Sequence, residues 1–172
     1  DIHYYTSSDG TRENHRILKR EFVGYIGSAA EFQYHFLALA KRNGSDYCSE
    51  VVVISDGAPW IHTMVETYLP KATHILDLYH AKENAGKFAQ AVKQGKRQKK
   101  AFADELCDLI DAGKTDELLK VLNPYKDRKM PPGVLNFYTY VSNHVTCMDY
   151  PTYKAKGYVV GSGAIESGNI HL

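Results

Sequence analysis

Four consecutive apolar residues, Val51-Val-Val-Ile54, run almost directly into Asp56-Gly57. All four are β-branched, and none is polar. A half-buried strand alternates apolar and polar positions, so a short continuous run predicts a strand covered on both faces, usually a parallel one. A parallel partner needs a crossover connection. The sequence supplies one: Ile61, Val65, Tyr68 and Leu69 form a helical stripe ended by Pro70. A second strand is predicted over roughly 73–78, leading into Asp77-Leu-Tyr-His80. Strand, helix and strand in this order place Asp56 directly after one strand and Asp77 at the end of its neighbour.

Upstream, residues 2–5 have strand composition, Ser8-Asp9-Gly10 reads as a hairpin turn, and 16–25 reads as the returning strand. Ser28-Ala-Ala-Glu31 is a capping box, Phe32, Phe36, Leu39 and Ala40 fall on one helical face, and Asn43-Gly44 ends that helix. Beyond His80 the character changes. Residues 82–122 carry no strand signal and predict two helices, roughly 82–111 and 115–122, parted near Gly113. Pro124, Pro131 and Pro132 mark irregular chain, and 134–145 predicts a further helix. Gly157 to Gly163 is a glycine-rich approach to a last helix that starts near Ser162 and contains Glu166. The class is α/β, with a parallel half.

The 172 residues suit one domain, or one domain with an insertion, and 44% hydrophobic content is enough for a core. No apolar run approaches the roughly 18 residues of a membrane span, and no signal-peptide pattern opens the chain. Cys48, Cys107 and Cys147 are odd in number and lack CxxC or Cys/His spacing, which argues against a disulfide framework or a zinc site. They read as reduced thiols of a cytosolic protein. The formal charge of +1 does not announce a nucleic-acid binder. A DNA-binding claim must rest on local patches and on chemistry.

Asp56 is the first chemical candidate, because ligands of open parallel sheets bind at the carboxyl ends of strands. Asp-Gly is also common turn chemistry. Asp77 and His80 lie near the same sheet edge, although Asp77 would serve equally as a helix cap. Glu166 falls in the first turn or so of the last helix, where the macrodipole favours a carboxylate, as it does in many ordinary helices. Between residues 82 and 100, seven Lys/Arg (Lys82, Lys87, Lys93, Lys96, Arg97, Lys99 and Lys100) face a single acid, Glu83. Such a stripe can neutralise phosphates or can simply be a solvated helix face.

The segments Ile54-Ser-Asp-Gly-Ala-Pro-Trp-Ile61 and Ala72-Thr-His-Ile-Leu-Asp-Leu-Tyr-His80 resemble bacterial insertion-sequence transposases related to the eukaryotic Mutator-like group. The Asp77-x-x-His80 pair matches the C/D-x-x-H signature of that branch, and Val160-Gly-Ser-Gly-Ala-Ile-Glu-Ser167 is similar to its C-terminal GSG-x-x-E motif. The likeness is sharp over 51–85 and 158–169, and over 1–50 only the layout matches. The resemblance implies a DDE-type enzyme on an RNase H-like mixed sheet flanked by helices. It implies DNA as substrate (element ends and target), Mg²⁺ or Mn²⁺ as cofactor, and a homodimer or higher oligomer on DNA in a bacterial, nucleoid-associated setting. Asp56 would be the second acid of the triad and Glu166 the third, with Asp77 and His80 lining the site and His80 near the scissile phosphate. Glu166 follows Asp56 by 110 positions (166 − 56), which implies a helical insertion. The expected organisation is a core over 1–80, a mainly helical insertion over 81–157 and a return to the core over 158–172.

The resemblance puts the first acid on a central strand upstream of the hairpin. That strand is expected to lie before residue 1, with Asp1 a minor candidate for the acid and Asp9 a weaker one. A chain without it is expected to be inactive alone and to carry exposed sheet edges. Three rival classes share parts of this reading. They are a metal-dependent nuclease or resolvase of the same superfold, a non-catalytic DNA-binding protein derived from a transposase, and a Rossmann-like ligand-binding domain. The last lacks any GxGxxG or Walker motif.

Overall fold

The computed structural model describes residues 2–6 and 13–17 by their backbone, residue 21, and residues 23–161. The predicted turn at Ser8–Gly10, the candidates Asp1 and Asp9, and Glu166 with its helix lie outside the described residues. Strands β1 (Ile2–Thr6) and β2 (Glu13–Ile17) pair antiparallel, with Ile2 opposite Ile17 and Thr6 opposite Glu13. The returning strand is earlier and shorter than 16–25, and residues 23–25 have no regular structure.

Helix α1 (Ala29–Arg42) begins as its sequence dictates. Ser28 Oγ accepts from the Glu31 amide at 3.2 Å, and the Ser28 amide donates to Glu31 Oε2 at 3.0 Å. The Ser28 amide, together with the Ser28 hydroxyl that donates to Glu31 Oε2 at 2.8 Å, holds the Glu31 carboxyl below its usual range. Gly44, at φ +84°, takes the left-handed turn just past the helix end.

Strand β3 (Val52–Ser55), helix α2 (Pro59–Tyr68) and strand β4 (Thr73–Leu76) make the predicted parallel unit, with Val52 opposite Thr73 and Ser55 opposite Leu76. Both faces of β3 are covered. Val53 joins Leu37, Met64 and Val65 in a small cluster beneath α1 and α2, while Val52 and Ile54 pack against the larger core. Strand β4 is two residues shorter than predicted, because Asp77 turns the chain into a helix.

That helix, α3 (Leu78–Val92), is followed by α4 (Lys96–Asp111), α5 (Thr115–Leu122), α6 (Phe137–His144) and α7 (Tyr150–Ala155). Short 3₁₀ turns cover Asn123–Tyr125 and Val145–Cys147. The single helix expected over 82–111 is two, broken at Gly95 with φ +74°. The break near Gly113 falls as predicted. Helix α7, with Pro151 in its first turn, has no counterpart in the sequence reading.

The fold is α/β and mainly helical. Among the described residues the two strand pairs form separate sheets instead of one mixed sheet. No helix among them is long and apolar enough to cross a membrane.

One contiguous core joins β4 to the helices. Ile75 and Leu76 meet Phe88, Leu106, Ile110, Leu118, Leu122, Phe137, Val141, Met148 and Tyr150 in it. Phe88 lies at its centre, with ring centroids 5.4 Å from Tyr125, 5.7 Å from Phe137 and 6.3 Å from Phe102. Phe88→Ala is expected to destabilise the chain by about 3–5 kcal/mol, read as a lower urea midpoint with unchanged slope. A cost below about 1 kcal/mol would show that this cluster does not hold the helices to β4.

Candidate active site

Asp56 and Asp77 leave β3 and β4 one position beyond the last pair of the ladder. The Asp77 amide extends that ladder by donating to the Ser55 carbonyl at 2.7 Å. The two aspartates therefore lie in register at the carboxyl ends of adjacent parallel strands, which run about 4.8 Å apart. Their surroundings differ. Asp56 is exposed, and its Oδ1 accepts from the Ala58 amide at 2.9 Å, a local turn bond. Asp77 is buried, and its Oδ1 accepts from the amides of Tyr79 (2.8 Å) and His80 (3.0 Å) at the start of α3. The capping role weighed for Asp77 is thus present, and it fixes the carboxyl beside Asp56.

Helix α6 braces the Asp56 turn from 84 residues away: the Tyr140 hydroxyl donates to the Asp56 carbonyl at 3.0 Å. One turn on, buried His144 bonds through Nδ1 to the Tyr140 carbonyl at 2.6 Å. Between Asp56 and His144 stands Gly57, at φ +87°. A Cβ there would meet Leu76 Cδ1 at 2.8 Å and His144 Nε2 at 3.0 Å. Only glycine satisfies both the left-handed backbone and the close approach. Neither Tyr140 nor His144 was singled out from the sequence. Their i,i+4 spacing marks a shared helix face, but nothing local says what that face covers.

Burial raises the Tyr140 phenol well above its ordinary value, with the charges of Asp56 and Asp77 adding to the shift and an Asn84 hydrogen bond opposing it. Burial also raises Tyr150, whose hydroxyl donates to the Leu76 carbonyl at 3.0 Å. Both are therefore standing donors to the two strand ends. The sign follows: their contribution to stability is complete below the unfolded tyrosine value of about 10 and is lost as pH rises beyond it. In a spectrophotometric titration, Tyr140→Phe and Tyr150→Phe are each expected to remove amplitude only from the most alkaline phase. Loss of amplitude near pH 10 in either variant would contradict the burial of that hydroxyl.

His80 is half-exposed in the first turn of α3, with Nδ1 3.8 Å from Glu83 Oε2. The basic stripe is largely engaged. Lys93 donates to the Tyr125 hydroxyl at 2.9 Å and stands 4.1 Å from the centre of the Phe102 ring, so it serves the junction of α3 and α4. Lys100 pairs with Asp104 at 2.6 Å, Lys87 pairs with Glu83 at 2.7 Å, and Lys82 pairs with Asp111. Among the described residues Lys96, Arg97 and Lys99, in the first turn of α4, carry no ion pair. Lys100 remains able to exchange partners, since its pair with Asp104 is exposed and screened by solvent.

The chain that leads to Glu166 docks beside Asp77. The Leu78 amide donates to the Val160 carbonyl at 2.9 Å. Gly161 is buried against the Tyr79 ring, which a Cβ would meet at 2.4 Å. The segment entering the glycine-rich motif therefore departs from the same strand ends that carry Asp56 and Asp77. Comparison of the chain with family models, curated proteins and solved structures finds no match.

Proposed function

We propose that this chain belongs to the catalytic core of a DDE-type DNA transposase with an RNase H-like sheet, in which Asp56 and Glu166 share a pair of divalent cations. The observation that carries the reading is the docking of Val160 onto the amide next to Asp77, at the end of the strand neighbouring Asp56. Four residues of chain separate Gly161 from Glu166, so a helix starting near Ser162 begins within reach of both aspartates. The strand order supports the same reading: an antiparallel hairpin is followed by a parallel pair joined through a helix, as such a mixed sheet requires.

The donor set suits a hard cation. Mg²⁺ and Mn²⁺ take carboxylate oxygens and water, and among the described residues Asp56 Oδ2 has no hydrogen-bond partner. Asp56, Glu166 and, in part, Asp77 would hold the metal. When bound, a two-metal pair activates the attacking oxygen and stabilises charge on the transferring phosphorus. The chain's own residues do the positioning. Tyr140 and Gly57 fix the turn that presents Asp56. The capping amides fix Asp77. His80 is accessible to a phosphate oxygen, while Lys96, Arg97 and Lys99, with Lys100, offer contacts to the DNA backbone.

The test is a joining assay with the full-length protein, labelled element ends and target DNA, run with Mg²⁺ and with a chelator. The proposal expects cleaved ends that become joined to target only when metal is present. Cleavage without joining would assign a nuclease instead. DNA binding that neither cleaves nor responds to metal would assign a non-catalytic derivative.

A further inference from the structure

Beside the β3–β4 pair, three side chains from separate elements converge. They are His62 on α2, His74 on β4 and Cys147 in the 3₁₀ turn after α6. A ring nitrogen from each histidine and the Cys147 sulfur all lie within 4.8 Å of one another. The two imidazoles stack, with centroids 5.8 Å apart and planes 28° from parallel. They line a cavity of about 290 Å³ together with Glu66, Thr146 and Tyr153.

The hydrogen bonding of the rings is one-sided. His74 Nε2 bonds to Ser55 Oγ at 2.8 Å, and His62 Nε2 lies 3.2 Å from Glu66 Oε1. Nδ1 of both rings is buried and has no hydrogen-bond partner. A buried polar atom left unsatisfied is unfavourable, and here two occur on facing rings beside a buried thiol. A carboxylate or hydroxyl that accepts the proton of one ring nitrogen leaves the lone pair on the other. That is how metal-binding histidines are ordinarily oriented.

We propose that His62, His74 and Cys147 bind a single Zn²⁺-type cation, with water in the fourth position. Two imidazoles and a thiolate are nitrogen and sulfur donors, which select zinc or a similar borderline-soft ion over Mg²⁺. Bonds of about 2.0–2.3 Å in a tetrahedron need donors roughly 3.3–3.7 Å apart, so with all three donors within 4.8 Å of one another only small side-chain rotations are needed. The Cys147 thiol loses its proton to solvent as the sulfur–metal bond forms, and the cation offsets the buried negative charge. Bound there, the ion staples α2 and β4 to the turn that follows α6, joining the strand–helix–strand unit to the helical segment. The site is independent of the polynucleotide-transfer reading. It also departs from the sequence expectation of no zinc site, because positions 62, 74 and 147 form no local motif.

Co²⁺ added to metal-stripped protein tests this. One Co²⁺ per chain is expected, with tetrahedral ligand-field bands and a thiolate-to-cobalt charge-transfer band, both abolished by Zn²⁺. Cys147→Ser should remove the charge-transfer band, and His62→Gln should weaken Co²⁺ binding by more than about 10-fold. Ions held by Asp56 and other carboxylates give no thiolate band, so the two sites are separable. Should a variant fail to fold, alkylation of the unaltered protein decides. Zn²⁺ should protect Cys147 and leave exposed Cys48 reactive. A cobalt spectrum without thiolate character, or Cys147 alkylated equally fast with and without Zn²⁺, would overturn the site.

Discussion

Asp56→Ala is expected to lower metal-dependent strand transfer by the full-length protein by at least about 10³-fold, with DNA binding retained. Metal-borne charge stabilisation contributes several kcal/mol to such reactions, and each 1.36 kcal/mol is a factor of about ten in rate. The structural cost is small by comparison. Asp56 is exposed and loses one local bond to the Ala58 amide, worth about 0.5–1.5 kcal/mol. Asp77→Asn refines the reading. It keeps an oxygen to accept from the Tyr79 and His80 amides while removing the charge, so the cap survives and any metal contact is weakened. A fall in activity with unchanged unfolding midpoint would place Asp77 in the metal site. Full strand transfer by Asp56→Ala would remove that residue from the mechanism.

Gly57→Ala is expected to cost about 2–5 kcal/mol of stability and to suppress activity at the same time. Two effects add. A left-handed backbone costs a residue with a Cβ about 1–2 kcal/mol, and forcing a methyl into a filled space costs about 1–3 kcal/mol. The added carbon would press on Leu76 in the core and on His144 behind the turn, two buried groups with little room to move. Relief by backbone shift would displace Asp56, the adjacent residue. Urea unfolding read alongside strand transfer checks both effects. A change within about 0.5 kcal/mol, the range of neutral surface substitutions, would show that the turn tolerates a side chain.

How legible these features were depends on how local their causes are. Val51–Ile54 announced a doubly covered strand because every residue in it must be hidden, and both of its faces are packed. The Ser28 capping box and the Asn43-Gly44 stop were readable because caps are satisfied within a few residues. Gly95 carries no local break signal, since lysine-rich sequence on both sides continues a helical pattern and only packing of α4 against α3 selects the turn. The basic stripe was visible as composition. Its pairing with Asp111, and the placement of Lys93 over the Phe102 ring, depend on how α3 and α4 fold back on one another. In the candidate site, Asp56 and Asp77 were placed by strand logic alone. Tyr140 and His144, which hold the Asp56 turn, are about 85 residues away in sequence, and no spacing rule links them to it. The same holds for the His62, His74 and Cys147 group.

Crystals of the full-length protein grown with Mn²⁺ would test the central claim most directly through anomalous scattering at the two strand ends. The account predicts manganese bonded to carboxylate oxygens of both Asp56 and Glu166, with the glycine-rich segment still docked on the Leu78 amide. Manganese bound elsewhere, with the Glu166 carboxyl on a different side of the molecule from Asp56, would contradict it.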